Sequence, residues 1–296
     1  MTRTARYANL FAVVAPFVAF LVACVLLWNR AVDVFDLALL AVMYVPTGLG
    51  ITMGFHRLFT HRAFDTSRPM QYALGILGSM TLQGPLVHWV ADHRKHHAHT
   101  DEEGDPHSPH VGHGSGLKGL VHAHVGWLLE GQGRASRRRY AKDLVEDPGL
   151  SRLSRLFLVW VAIGLLVPTV AGFVAHGGIE GAARGLLWGG AVRIFFMHHM
   201  TWSINSVCHF MGSRRFAVDD HSHNVFWLAL PSLGESWHHN HHAFPRSAQH
   251  GLRWYELDVT AGGIRLLERL GLVWNVTRIA PERQEARLAT RETVSV

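Results

Sequence analysis

Four stretches of this chain are long and apolar enough to cross a lipid bilayer, and no other feature restricts its fold as much. A membrane span needs roughly 20 mainly apolar residues to pass about 30 Å of hydrocarbon. Asn9 to Trp28, Asp36 to Phe55, Leu156 to Ala175 and Gly185 to Val207 each have that length and character. Arg3 and Arg6 precede the first run, as in a signal peptide, but no small-residue cleavage site follows it cleanly, so it reads as a retained helix. The expected fold is an all-α integral membrane protein with four transmembrane helices in two hairpins.

Basic residues orient these helices. With Arg3 and Arg6 in the cytoplasm, the outer turns are Asn29 to Val34 and His176 to Arg184. Residues 56–155 and 208–280 then form a cytoplasmic helical cap, both termini are cytoplasmic, and the host is the cell inner or plasma membrane. Residues 1–280 read as one membrane domain; the charged segment 281–296 lacks apolar periodicity and is expected to be mobile. Met70 to Val90 is apolar but broken by Gly75, Gly78, Gly84 and Pro85, and reads as a helix at the membrane surface. The net charge of +6 is concentrated in Arg134, Arg137, Arg138, Arg139 and Lys142. The positive-inside rule accounts for this cluster, and an acidic protein or an anionic acyl carrier could also use it. No motif for nucleic acid accompanies it. The two cysteines, Cys24 and Cys208, both fall in expected membrane helices, which excludes C-x-x-C metal or redox chemistry.

Histidines cluster where the apolar runs end. His56-Arg-Leu-Phe-Thr-His61, His93-Arg-Lys-His96-His97 and His238-His239-Asn240-His241-His242 form three boxes, and His209 closes the fourth apolar run. On a helix, residues three and four apart share a face, so His96 and His97 lie near His93, and His241 and His242 near His238. Neutral imidazole suits iron, zinc, copper or nickel better than magnesium or calcium. One cation takes four to six donors, so nine histidines with open positions for oxygen imply two metals. His239 is turned about 100° from His238 on a helix, which leaves its role open. His88, His122, His124, His176, His198, His199 and His250 lack the box spacing. His99, His107, His110 and His113 sit in a Gly-, Pro- and Asp-rich loop, where solvation or outer contact with the metal site is expected.

The three boxes resemble those of the membrane fatty acid desaturase family, closest to its stearoyl-CoA desaturase branch, with H-x-x-x-x-H, H-x-x-H-H and H-x-x-H-H. The likeness extends to Thr201-Trp202-Ser203-Ile204-Asn205-Ser206-Val207-Cys208-His209, Asp105-Pro106-His107, His124-Val125-Gly126-Trp127-Leu128-Leu129 and Gly234-Glu235-Ser236-Trp237, across roughly residues 40–275. A histidine at position 239 departs from the family, where another residue commonly stands. The resemblance implies one iron on His56, His61, His93, His97 and His241, and a second on His96, His209, His238 and His242, with Asn205 reaching it through water. It also implies that Gln83, Trp89, Thr201 and Trp202 shape a bent tunnel for an acyl chain. Position nine is the family's default site of desaturation.

Unactivated methylenes have no acidic proton and no leaving group, so oxygen activated on iron is the chemistry such a chain would need. Two iron ions and O2 are therefore the expected cofactor and co-substrate. Asp92, Asp101 and Glu235 are candidates to fix imidazole orientation. No G-x-G-x-x-G serves as a nucleotide fingerprint, since the one match, Gly114 to Gly119, lies in a polar loop with no strand before it, and the cysteines are too few for an iron–sulfur cluster, so electrons must come from a separate donor, such as a ferredoxin or small cytochrome with its reductase. Three acyl carriers are compatible with the sequence: coenzyme A, a carrier protein or a membrane lipid. Tyr44 lies about 18 Å before His56 along the second helix, and Tyr44 and Leu40 are expected at the tunnel floor. A diiron hydroxylase is the rival within enzymes. A histidine-rich metal transporter is the rival outside them, and would place its ligands near the bilayer midplane rather than at helix ends.

Overall fold

The computed structural model describes residues 3–28, 32–112, 116–130 and 135–289. Uninterrupted apolar sequence gives α1, Arg3–Trp28, and α2, Val34–Leu49. A capping box opens α2: Asp33 Oδ1 accepts from the Asp36 N–H and Asp36 Oδ2 from the Asp33 N–H. Beyond Leu49 the same helix continues as a π-helix, Gly50–Thr60, whose backbone bonds close over five residues. The last of them runs from the His61 N–H to His56 O at 3.1 Å. That repeat equals the spacing of the first histidine box, so both imidazoles leave the helix end on one side.

Helix α3, Arg68–Ser79, lies against the π-helix at two glycines: a Cβ on Gly50 would stand 2.1 Å from Gly78 N. The chain then turns through Leu82 and Gly84, both at positive φ, and α4, Leu86–Ala98, starts after Pro85. The stretch expected as one broken helix, Met70 to Val90, is therefore parts of two. Phe55, Leu58, Phe59, Leu86 and Val90 form the buried core that holds the π-helix to α4. Four short helices follow: α5 (Leu117–His124), α6 (Arg137–Tyr140), α7 (Lys142–Glu146) and α8 (Pro148–Arg155). Helices α9, Phe157–His176, and α10, Gly178–Gly185, come into backbone contact, because a Cβ on Gly172 would lie 2.2 Å from Gly181 O. A second π-helix, Leu186–Val192, leads into α11, Arg193–Ser206.

Among the described residues, three helices are long and apolar enough to cross a membrane: Arg6–Leu26, Val34–Thr60 and Phe157–His176. The fourth expected span, Gly185 to Val207, is helical through α11 but is not one of them. It contains Arg193, His198 and His199, and most of its side chains are buried or half-buried against other elements, with Leu186 and Phe196 exposed. The Arg193 guanidinium is fully buried and donates to Gly189 O, Thr47 Oγ1, Met80 O and Gly164 O, which ties this segment to α2, the end of α3, and α9. A charged group in a helical bundle is tolerated when it faces the interior and its donors are satisfied.

The remaining helices are α12 (His238–Ala243), α13 (Val259–Arg269) and α14 (Pro281–Glu285). Strands β1 (Asp65–Thr66) and β2 (Val273–Trp274) pair antiparallel, with Asp65 opposite Trp274. The segment from Pro281, expected to be mobile, is docked as far as residue 289: Leu288 pairs with Phe216, and Arg287 bonds Ala243 O and lies over the Phe244 ring. Residues 290–296, the turn residues 29–31, His113 and Arg134 lie outside the described residues. Both cysteines are free, Cys24 exposed on α1 and Cys208 buried just beyond α11.

Candidate metal centre

The chain brings nine imidazoles together in two groups. His56, His61, His93, His97 and His241 form the first, and His96, His209, His238 and His242 the second; within each group the ring nitrogens lie within 4.8 Å of one another. Each H-x-x-H-H box serves both groups. On α4, His93 and His97 are one turn apart with Nε2 atoms 3.1 Å from each other, while His96 points about 100° away into the second group. On α12 the arrangement is reversed: His238 and His242 meet at 3.0 Å and His241 crosses to the first group, 3.2 Å from His56 Nε2 and 3.0 Å from His97 Nε2. His96 lies near His93 and His241 near His238, as the helical spacing predicts, with ring centroids 5.8 and 5.7 Å apart, yet each belongs to the other group. His209 reaches the second group from a single 3-10 turn after α11, 2.9 Å from His238 Nε2.

Carboxylates hold four of these rings from behind. The Nδ1–H of His56 donates to Glu235 (2.5 Å), that of His96 to Asp105 (3.0 Å), that of His209 to Asp101 (2.9 Å) and that of His242 to Asp220 (2.6 Å). Asp101 and Glu235 were expected from sequence. Asp105 and Asp220 were not singled out for this role, and Asp92 instead accepts from the Ala135 N–H. Burial alone would raise Asp101, Asp105 and Glu235, but His209, His96 and His56 respectively lie against them and hold each below the usual carboxylate range. Behind Glu235 sits the fully buried Arg57, which donates to Glu235 Oε1 at 2.9 Å and to both carboxylate oxygens of Asp258 at 3.0 and 3.1 Å.

These contacts say what the groups can bind. A neutral imidazole that donates from Nδ1 carries a lone pair on Nε2. His209 and His242 both direct such a lone pair at His238 Nε2, which can donate to only one of them. The buried Nε2 atoms of His61 and His96 have no hydrogen-bond partner at all. Converging lone pairs repel unless a cation lies between them. Imidazole–metal bonds of about 2.1 Å place neighbouring donors about 3 Å apart, the spacing found here. An all-nitrogen donor set backed by carboxylates fits a first-row transition metal in each group.

Burial first, and the charge of neighbouring imidazoles second, hold His93, His97, His238, His241 and His242 well below the ordinary histidine value. A base whose folded value is depressed binds its proton more readily when unfolded, so stability rises with pH and is lost as pH falls below the unfolded value of about 6.5. Metal-free protein is therefore expected to melt at a lower temperature at pH 5.5 than at pH 7.5; thermal unfolding of chelator-treated protein measures this, and an unchanged midpoint contradicts it. For Asp105→Asn, which leaves the backing group uncharged, a loss of about 10–100-fold in activity or metal affinity is expected. Metal content per chain and turnover, measured together, report it.

Residues 32–266 match the family described as "Fatty acid desaturase". The chain belongs to the fatty acid desaturase family. Among the relatives of this desaturase, the hex-5-enoyl-[acyl-carrier protein] acetylenase of Moorena producens is 44% identical, covering 89% of this chain and 83% of the relative. The sn-1 stearoyl-lipid 9-desaturase of Anabaena variabilis is 39% identical, covering 83% and 84%. The icosanoyl-CoA 5-desaturase of Limnanthes douglasii is 36% identical, covering 88% and 69%. The desaturase is an O2-dependent oxidoreductase of acyl chains that uses a histidine-coordinated diiron centre.

An apolar pocket runs from the metal centre of the desaturase to α2. His56, His93, His238 and Asn205 line its metal end, and Tyr44 lines it on α2, with its hydroxyl donating to Pro231 O at 2.6 Å. Of the residues expected to shape the tunnel, Tyr44, Trp89 and Thr201 line it. The other three do not. Gln83 acts one step back, donating to Thr201 Oγ1 at 3.0 Å. Trp202 turns into the space between His198, His199 and His124, because its neighbour Thr201 takes the pocket face of α11. Leu40 packs on the Trp188 cluster, since the face of α2 it occupies meets the second π-helix. Sequence did not single out Met197, Met200 or Leu233, which also line the pocket; apolar residues in an apolar run carry no distinguishing signal.

The remaining histidines sort by position. His239 is a scaffold residue: its Nε2 accepts from the Phe216 N–H at 2.9 Å and its Nδ1–H donates to Ser222 O at 3.0 Å. His250, which lacks box spacing, nevertheless lies beside the first group, 3.5 Å from Glu235 Oε2 and with its ring 4.5 Å from that of His241. His124 and His199 bond one another at 3.0 Å, and His198 donates to Thr81 O.

Proposed function

We propose that this desaturase introduces a cis double bond, at position nine, into a saturated acyl chain that lies in the Tyr44–His238 pocket. The observation that carries this reading is the pocket itself: it is apolar along its length and ends at both histidine groups. One iron would be held by His56, His61, His93, His97 and His241, and the other by His96, His209, His238 and His242, with Asn205 adjoining the second. When bound, the irons supply oxygen activation strong enough to take hydrogen from an unactivated methylene. Overall, two hydrogens leave neighbouring carbons and, with two external electrons and two protons, convert one O2 to two waters.

The protein's own residues do the rest. Trp89, Thr201 and the pocket methionines hold the chain beside the irons and exclude water, while Asp101, Asp105, Asp220 and Glu235 keep the Nδ1 protons and so leave Nε2 free for metal. Gly185 to Val207 acts as a fourth membrane segment. The metal centre faces the cytoplasm, where the basic side chains suit an acidic ferredoxin or small cytochrome as electron donor. The three relatives act on carrier-protein, lipid and coenzyme A substrates respectively. Expression in a host that lacks unsaturated fatty acids, followed by mass spectrometry of its lipid chains, tests the reading. A monounsaturated product with the bond at position nine supports it. A hydroxylated or acetylenic product, or none, overturns it.

Tyr44 closes the far end of the pocket. Tyr44→Ala removes the ring and its bond to Pro231 O, so the product profile is expected to shift to longer chains by at least two carbons, measured by gas chromatography of total fatty acids. An unchanged distribution contradicts this role.

A further inference from the structure

Outside the three membrane-length helices, large apolar side chains are exposed together on two loops. Phe226, Trp227 and Leu230 belong to the first and Trp254, Tyr255 and Leu257 to the second, with Trp227 64% and Trp254 96% exposed. Buried Trp237 joins the loops: its ring meets that of Phe226 edge-on at 6.2 Å, and its Nε1–H donates to Leu257 O at 2.9 Å. The six therefore lie on one stretch of surface. Soluble protein surface rarely carries so large an apolar patch unless something covers it.

The patch adjoins the membrane-length helix Val34–Thr60 at two levels. Tyr44 of that helix bonds Pro231 O, directly after the first loop, and Thr52 contacts Thr260 at 2.7 Å, just after the second. Helix α13, packed on the same segment at Met53, exposes Leu266 and Leu270 alternating with Arg265 and Arg269. Arg253, beside Trp254, donates to the Tyr255 hydroxyl. Tryptophan and tyrosine with flanking arginines are the composition of a bilayer's polar–apolar boundary, where aromatic rings sit at headgroup level and arginine reaches outward to phosphate.

We infer that the Phe226–Leu230 and Trp254–Leu257 loops form a collar inserted into the phospholipid interface around the stretch of Val34–Thr60 between Tyr44 and Thr52. The inference rests on the membrane reading of that helix. Its occupant is lipid, not a second copy or a protein partner, because the patch continues a lipid-facing helix and is edged by arginine. The residues that follow the first loop, Pro231 to Leu233, line the acyl pocket, so one loop faces lipid on one side and the acyl chain on the other.

Site-directed spin labelling of the full chain in phosphatidylcholine nanodiscs tests this. In a Cys24→Ser background, Trp227→Cys and Trp254→Cys carry the label, with Leu257→Cys as a third position. Val42→Cys, on the 66% exposed outer face of α2, serves as the lipid reference, and Lys142→Cys, with a 70% exposed side chain, as the aqueous one. The expected result is a ratio of oxygen to aqueous nickel-complex accessibility at 227 and 254 that exceeds the value at 142 several-fold and approaches that at 42. Values at 227, 254 and 257 equal to that at 142, with 42 still lipid-exposed, overturn the collar alone. An aqueous value at 42 overturns the membrane reading as well. Dipolar broadening between labels at 227 or 254 on separate chains assigns the patch to a second copy and likewise overturns lipid as its occupant.

Discussion

A His241→Ala variant is expected to lose at least about 100-fold in desaturation and to retain less iron than the parent protein, while still reaching the membrane. His241 is fully buried and its Nε2 touches both His56 and His97, so it sits at the centre of the first group. Its removal deletes a donor and leaves a gap that water enters. Loss of an outer carboxylate such as Asp105 costs about 10–100-fold; loss of a donor from the group itself exceeds that range. Turnover in membranes and iron per chain are the readouts, and activity within tenfold of the parent contradicts the role given to His241. Its neighbour on the same turn, His239, supplies the contrast. His239→Gln keeps a donor and acceptor for Ser222 and Phe216, so it is expected to retain iron.

Arg57→Ala is expected to destabilise the fold by about 3–5 kcal/mol, because removing one member of a buried ion cluster leaves the others uncompensated. Arg57 is surrounded by Glu235, Asp258 and Ala248 O, all of them in buried residues. Lysine does not substitute, since it cannot present the guanidinium's donors to two carboxylates at once. The comparison variant is Arg62→Ala, five residues on, whose ion pair with Asp143 is exposed; its expected cost is about 0–1 kcal/mol. Thermal unfolding of both variants in the same detergent measures the difference. Equal midpoints would show that the buried cluster does not hold the fold. Because Glu235 also fixes His56, any folded Arg57→Ala protein should bind iron more weakly in the first group.

The histidine boxes were legible because imidazole spacing, helix period and position at the end of apolar runs all agree. The partition of each box was implied by the family resemblance and not by spacing. Adjacent helical residues diverge by about 100°, which sends His96 and His97, or His241 and His242, to different groups, yet shared-face reasoning places both with one partner. The π-helix at Gly50–Thr60 has no composition that distinguishes it from α-helix, although the five-residue spacing of His56 and His61 is its trace. Asp220 and Asp105 were hidden for another reason. They act from loops, and Asp220 lies 22 residues before the ring it holds, so no local pattern connects it to His242. Nothing in the sequence marks Arg57, inside a box, as the centre of a buried ion cluster. Arg193 lies within the apolar run Gly185 to Val207, where its charge is spread over four oxygen acceptors. Tyr44 lines the apolar pocket, whereas Leu40, one turn away, faces the second π-helix.

The central claim is that two clusters of Nε2 lone pairs, each too close to coexist without a cation, are filled by a pair of irons. Mass-spectrometric metal analysis of purified protein, combined with Mössbauer spectra of iron-57-enriched material, tests this directly. The account predicts two irons per chain in all-nitrogen-rich sites, falling to about one in both His241→Ala and His238→Ala. One iron or fewer in the unaltered chain, or iron content indifferent to both substitutions, would contradict it.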